Sequence, residues 1–375
     1  FKSALRINYL DNSARLGLIN SYLSRGTYYA NTDHDYKKAA DDYRSALFYL
    51  TIYPNANQVK NSAQTIVLVS SNLNKCLNAI EYDTSAQNRY TIAKQLRAEG
   101  NFSASGYEFN QALSDASFVK DSLQQIGDIL KVLGNEPKAV EYYKKAVAVA
   151  PNDIQLRLTY AQLLDKLGQE DTSVDEYNYI LSKTTDNKDV LYSLERIYKR
   201  KLEDSPNDPA ITANLGAIMQ KEGNYDEALR YYSKAEYLDP SNTNTRLNVG
   251  TLYQQKGDYK TAITAYDSIL ILNPDNIQAN LYKAQSLVAL GDKKGALELY
   301  KKVASLDPDN EVAQADMVNM VKDTMTIPQF VEYIKKNNPN NAGDILYDYA
   351  LDLHKKDKLA DAINLYNEEI KLDAD

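Results

Sequence analysis

The sequence predicts an all-α chain, a solenoid of antiparallel helical hairpins preceded by an N-terminal three-helix segment. Three observations carry that prediction. The segments Pro209–Asn242, Thr243–Asn276 and Ile277–Asn310 lie end to end, each 34 residues long, and repeat the same residue types at the same offsets. Between the recurring marks the apolar positions keep a helical period, as at Ala228, Leu229, Tyr232 and Ala235. A proline closes each segment, at Pro240, Pro274 and Pro308, and proline cannot continue a helix.

Each recurring position has a physical reason. The eighth holds Gly216, Gly250 and Ala284, and the twentieth Ala228, Ala262 and Ala296. Small residues there let two antiparallel helices approach closely. The fifteenth holds Gly223, Gly257 and Gly291, suited to end a first helix in the left-handed conformation that glycine adopts cheaply. Aromatics at places eleven, seventeen and twenty-four, such as Tyr253, Tyr259 and Tyr266, fill the wedge between helices. The Asp or Asn after each proline is placed to cap the next helix.

These residues resemble the tetratricopeptide repeat family, whose unit is a 34-residue helix–turn–helix. The resemblance implies a right-handed solenoid in which first helices line a concave surface that receives a protein or peptide partner. Its register weakens outward. Lys120–Asp153 keeps Gly127, Gly134, Ala139, Tyr143, Ala146 and Pro151, and Ala86–Val119 keeps Ala93, Gly100, Phe102, Phe109 and Ala112. Ile154–Asn187 keeps Ala161, Gly168 and Tyr177 but has Ser173 and Thr185 where Ala and Pro are expected, and Gly343–Asp375 keeps Ala350, Ala362 and Tyr366.

The expected organisation follows from where that register holds. Residues 1–85 form an N-terminal repeat-like segment, with Gly26, Tyr29, Tyr36, Ala39, Tyr43 and Ala46 in pattern before Pro54. A long apolar-periodic helix over about Gln58–Ile80 follows, so Phe1–Ile80 holds three helices, enough for a small bundle of its own. Residues 86–187 are a first block of three repeats and 209–310 a second. Between them, 188–208 is too short for a hairpin. It reads as one helix from Val190 to about Leu202, with Tyr198 and Pro206 spaced as in a second helix. An unpaired helix is expected to let the two blocks meet at a changed angle. Residues 311–342 are a degenerate hairpin split at Ile327-Pro328 with its exit at Pro339, and 343–375 are the terminal repeat.

Composition excludes several functions. The chain has 375 residues, more than one globular core holds, but a repeat array needs only neighbour contacts. A net charge of −8 with no basic run argues against a nucleic-acid or anionic-membrane partner. No apolar run reaches the ~18–20 residues of a membrane span. The 31 tyrosines, against 6 Phe and no Trp, suit positions half in a core and half on a groove. The one cysteine, Cys76, allows no internal disulfide, follows the apolar run Ile66–Val69, and is expected to be buried. The chain opens on Phe1, so a removed signal, anchor or tag stays open and the compartment is not readable.

Catalytic chemistry is not expected. No phosphate-binding glycine loop occurs. His34 and His354 stand at opposite ends and cannot share a metal, and the pairs Asp41-Asp42 and Glu368-Glu369 read as solvated faces among lysines. No catalytic residue, metal site or cofactor is therefore assigned.

Partner-binding residues follow from the family resemblance, which puts groove-facing places at two, five, six, nine, twelve and thirteen of each unit. Those hold Asn214, Ala217, Gln220 and Lys221, then Asn244, Asn248, Thr251, Gln254 and Gln255, then Gln278, Leu281, Tyr282 and Gln285. This surface is amide and hydroxyl, nearly uncharged, and suited to the backbone of an extended segment. Asn214 and Asn248 match two rungs of an asparagine ladder known in the family, with Tyr282 as the third. The cations of the family's chaperone-tail clamp are missing, which disfavours a heat-shock co-chaperone role. The earlier block carries Lys94, Arg97, Asp121, Asp128 and Lys131, a second and more electrostatic region. The final helix, with Ile363, Tyr366 and Ile370, offers a C-terminal face for a homo-oligomer. The leading expectation is an interaction scaffold. The alternatives are a building block that self-associates through its ends, or the regulatory arm of an enzyme whose catalytic part lies elsewhere.

Overall fold

The computed structural model describes residues 12–52, 62–184, 187–308, 310–322, 325–337 and 341–373. These form twenty α-helices and one π-helical turn, with no strand among the described residues. The chain divides into two compact units, Phe1–Val190 and Leu191–Asp375.

In the first unit the helices are α1 (Asn12–Tyr28), α2 (Tyr36–Ile52), α3 (Ser62–Ala79), α4 (Ala86–Ala98), α5 (Phe102–Ala112), α6 (Ala116–Val132), α7 (Glu136–Val149), α8 (Ile154–Lys166) and α9 (Glu170–Lys183). α1 packs on α2, α4 on α5, α6 on α7 and α8 on α9, and each later hairpin stacks on the second helix of the one before. A single helix, α10 (Lys188–Asp204), follows at the division between the units. The N-terminal helices do not close into a bundle of their own. α2 packs on α5 as well as on α1 and α3, and one core runs from Ala14 to Leu164. Cys76 is buried in it. Pro54, the predicted helical start at residues 58–61, Thr185 and Pro339 lie outside the described residues.

The second unit contains α11 (Pro209–Lys221), α12 (Tyr225–Leu238), α13 (Thr243–Gln255), α14 (Tyr259–Leu272), α15 (Ile277–Ala289), α16 (Lys293–Leu306), α17 (Glu311–Val321), α18 (Ile327–Asn337), α19 (Ala342–Lys355) and α20 (Leu359–Asp373). Its core is divided into successive clusters that share residues only with neighbours, as a quasi-one-dimensional stack requires. The degenerate hairpin departs from the rule. α18 begins at the predicted Ile327-Pro328 break and packs against both α19 and α20.

The recurring residues act as their chemistry demands. Gly223, Gly257 and Gly291 take φ of +81°, +78° and +87°. Nothing lies within 4 Å of a Cβ built there, so conformation and not crowding selects glycine. The amide of Asn224 then bonds the Met219 carbonyl at 2.8 Å, closing the end of α11. Asp208, Asn242, Asn276 and Asn310 accept from backbone amides of the next first turn, the expected caps.

Place eight is selected by space. A Cβ on Gly250 would stand 2.3 Å from the Tyr266 ring, and one on Gly216 would stand 2.7 Å from Tyr232. Gly250→Ala is expected to destabilise the second unit by about 1–3 kcal/mol through overpacking. Gly127→Ala, whose Cβ would meet Tyr143 at 3.2 Å, is expected to cost less. Denaturant titration of the two variants checks this, and equal losses would refute the crowding account.

Candidate binding groove

The first helices α11, α13 and α15 stand side by side, α13 packing against both neighbours. Beneath them lie the tyrosines of place twenty-four, Tyr232, Tyr266 and Tyr300, all at most 1% exposed. Such a phenol needs a partner for its hydroxyl. The Tyr232 hydroxyl donates to Gln220 Oε1 at 2.8 Å and that of Tyr266 to Gln254 Oε1 at 2.6 Å. Burial pushes both hydroxyls above the ordinary tyrosine range. The third unit has Val288 at the matching position, and Tyr300 bonds Asp316 on α17.

These bonds change the reading of two groove amides. Gln220 Nε2 continues to Gln255 Oε1 at 2.9 Å, with a longer contact to Thr251 Oγ1 at 3.4 Å. Gln254 Nε2 donates to the Tyr282 carbonyl at 3.1 Å. Gln220 and Gln254 therefore tie each buried tyrosine to the next first helix and have little capacity left for a ligand. The signal was present in the sequence as Gln and Tyr twelve residues apart in two consecutive repeats.

Other predicted residues remain available. Asn214, Asn244 and Gln278 are exposed, Asn248 and Gln285 half-buried, and among the described residues none of these five side-chain amides makes a hydrogen bond. Thr251 donates to the Asn248 carbonyl at 2.9 Å. Tyr282 is half-buried with its ring 5.9 Å from that of Tyr266. The structure thus sets Asn214 on α11, Asn244, Asn248 and Thr251 on α13, and Gln278, Tyr282 and Gln285 on α15, a polar surface of three adjacent helices.

Lys94 and Arg97 belong to the first unit, on α4. Arg97 reaches Asp128 of α6 at 3.4 Å, and Asp128 also accepts from the Tyr143 hydroxyl. Lys94 Nζ lies 4.8 Å from the centre of the Tyr90 ring. Part of this charge is therefore spent joining adjacent first helices, although Lys94 stays exposed.

The reading of Asp41-Asp42 as a solvated pair is corrected. Asp42 is buried and accepts from Arg25 at 2.6 and 2.8 Å, while Asp41 accepts from Arg44 at 2.8 Å. Arg44 also donates to Glu108 at 2.5 Å, and Glu108, with no exposed surface, receives Arg89 at 3.0 Å. The pattern had signalled Glu108 indirectly: Ala104 and Ala112, four residues to either side, are both buried, so Glu108 sits on an apolar stripe. Among the described residues no group of three His, Cys, Asp or Glu is placed to hold a metal, and no helix is long and apolar enough to cross a membrane.

Comparison with known proteins agrees with this architecture. A family model described as tetratricopeptide repeat matches residues 253–317, and another matches 344–367. A third, described as Tetratricopeptide Repeats-Sensor, matches 135–254. The human protein O-mannosyl-transferase TMTC1 is 26% identical over 135 residues, 32% of this chain. The chain covers 15% of the length of that curated relative. Among solved structures, a tetratricopeptide repeat protein from Parabacteroides merdae is 16% identical, covering 64% of this chain and 100% of its own, with a TM-score of 0.33. The first repeat domain of Spaghetti (RPAP3), bound to an HSP90 peptide, is 23% identical over 32% of this chain and 94% of its own, with a TM-score of 0.30. With three repeat models matching between residues 135 and 367, on helices paired as the repeat requires, this chain belongs to the tetratricopeptide repeat family.

Proposed function

We propose that the chain is a protein-interaction scaffold that holds an extended segment of a partner along α11, α13 and α15. The observation that carries this is the set of five amides, Asn214, Asn244, Asn248, Gln278 and Gln285, on three adjacent helices, which among the described residues make no hydrogen bond. Free amides both donate and accept, so they pair with a peptide backbone whatever its side chains. Tyr282, half-buried beside them, adds a rigid apolar contact of the kind that dominates binding energy. Binding, not catalysis, is the activity this surface supports.

Asn248→Ala combined with Tyr282→Ala is expected to weaken capture of a partner from the native source at least tenfold, about 1–2 kcal/mol per hot-spot residue. Circular dichroism would verify that the variant stays folded. Unchanged capture by a folded variant would overturn the groove assignment. Lys94 and Arg97 form a proposed second contact region, and charge reversal of both is expected to weaken binding in a salt-dependent way.

A second reading has its own support. Leu359, Ile363 and Ile370 on α20 are 49%, 57% and 60% exposed, an apolar face suited to self-association. Light scattering distinguishes the two readings: a concentration-dependent oligomer abolished by Ile363→Asp with Ile370→Asp favours the building block.

A further inference from the structure

The first helices of the second unit change character along the chain. On α11, α13 and α15 the surface is amide and hydroxyl, and its cations are largely engaged, Arg246 by Glu236 at 2.9 Å and Lys283 by Asp267 at 2.5 Å. Between α17 and α19 lies a groove of about 330 Å³ whose apolar lining is Ala315, Val318, Ile345 and Tyr349. Its rim carries Glu311, Asp348 and Asp352 against one base, Lys322. Asp352 is tied to Lys356 at 2.8 Å, and the Tyr349 hydroxyl donates to the Lys322 carbonyl at 2.9 Å. Glu311 and Asp348 are both exposed and, among the described residues, neither has an ion pair.

We infer that the groove between α17 and α19 receives a basic amphipathic segment of the partner, with Lys or Arg side chains on Glu311 and Asp348 and aliphatic side chains on Val318 and Ile345. The inference rests on the binding reading of the amide surface and names the chemistry of the segment that continues beyond it. Charge complementarity selects the occupant. An acidic segment would meet two uncompensated carboxylates, whereas a neutral apolar one would leave them facing low-dielectric contacts without partners. Aliphatic groups are needed as well as cations, because rim charges alone give on-rate and salt dependence more than affinity.

Three fluorescein-labelled peptides of one length test this: leucines on one helical face with lysines on the other, the same with glutamates, and lysines with the leucines replaced by glutamine. Anisotropy titration against the full chain is expected to show the Leu/Lys peptide binding at least tenfold tighter than either other peptide. Glu311→Gln with Asp348→Asn is expected to weaken it about five- to tenfold. The same charge change in the other unit, Glu99→Gln with Asp175→Asn, should leave it within twofold. Val318→Asp is expected to abolish the preference for leucine. Equal binding of the two lysine peptides, or equal losses from the two neutralised pairs, would reduce the effect to diffuse attraction and overturn the inference. Asn248→Ala with Tyr282→Ala, assayed against the natively captured partner, separates the two readings. A loss there without a loss from Glu311→Gln and Asp348→Asn leaves the amide surface standing and removes the basic segment. A native partner displaced by the glutamate peptide and not by the Leu/Lys peptide would also overturn it.

Discussion

Between pH 10 and pH 11 the second unit of this protein is expected to lose much of its stability. Tyr143, Tyr232, Tyr266 and Tyr300 recur at place twenty-four of their repeats and are at most 1% exposed. Burial holds each hydroxyl above the ordinary tyrosine range, and hydrogen bonds to Asp128 and Asp316 push Tyr143 and Tyr300 further in the same direction. In the unfolded chain these phenols ionise near about pH 10. The folded state therefore binds more protons, so the stability they confer is complete below pH 10 and is lost as pH rises toward the folded values. Each such group costs about 1.4 kcal/mol per pH unit. The three in the second unit together remove roughly 4 kcal/mol from it by pH 11, a large part of the ~5–15 kcal/mol that typically holds a domain together, and Tyr143 acts alike in the first unit. Tyrosinate absorbance followed alongside far-ultraviolet circular dichroism checks this. The last step in absorbance should coincide with helix loss. Completion of the whole titration near pH 10 on a fully helical protein would refute it.

The same tyrosines show how much was legible in the sequence. Their recurrence opposite Gly216, Gly250 and Gly127 was read directly from the period, because crowding at a helix crossing acts on residue size. Where their hydroxyls went was not read. Gln220 and Gln254 lie at groove-facing places by family geometry, and the twelve-residue spacing marks each Gln–Tyr pair without fixing that the amide carbonyl turns toward the phenol beneath. Charge was read least well. Asp41 and Asp42 stand among lysines in the sequence, the usual mark of a solvated face, but α2 is covered by α1, α3 and α5. A helix packed on three sides is solvated only near its ends, here at Lys37, Lys38 and Thr51, and that coverage depends on contacts across more than fifty residues that no local pattern records. The amides of α11, α13 and α15 fall between these cases. Their helix faces were legible, and their lack of internal partners was not.

Glu108→Ala is expected to destabilise the first unit by about 3–5 kcal/mol, the cost of removing one partner of a buried ion pair. The Arg44 and Glu108 side chains are 3% and 0% exposed and meet at 2.5 Å, linking α2 of the N-terminal segment to α5 of the first repeat. Arg89 joins from α4 at 3.0 Å, and the Tyr82 ring centre lies 4.9 Å from the Arg44 guanidinium. Removing the carboxylate takes from Arg44 its fully buried partner and leaves only Asp41, at a side chain 19% exposed, to balance it. The pair itself is not expected to contribute that much. Arg44 Nη2 has no hydrogen-bond partner among the described residues, so desolvation is incompletely offset. Arg44→Met combined with Glu108→Leu should accordingly cost less than Glu108→Ala, because the charges it leaves unpaired, Asp41 and Arg89, at side chains 19% and 15% exposed, lie nearer solvent. Arg89→Ala, at a side chain 15% exposed, should cost less than Glu108→Ala because Arg44 still holds the carboxylate. Denaturant unfolding of the three variants decides the matter. If Glu108→Ala costs under about 1 kcal/mol, the carboxylate is not what fastens the N-terminal helices to the array, and apolar contact between α2 and α5 must do so alone.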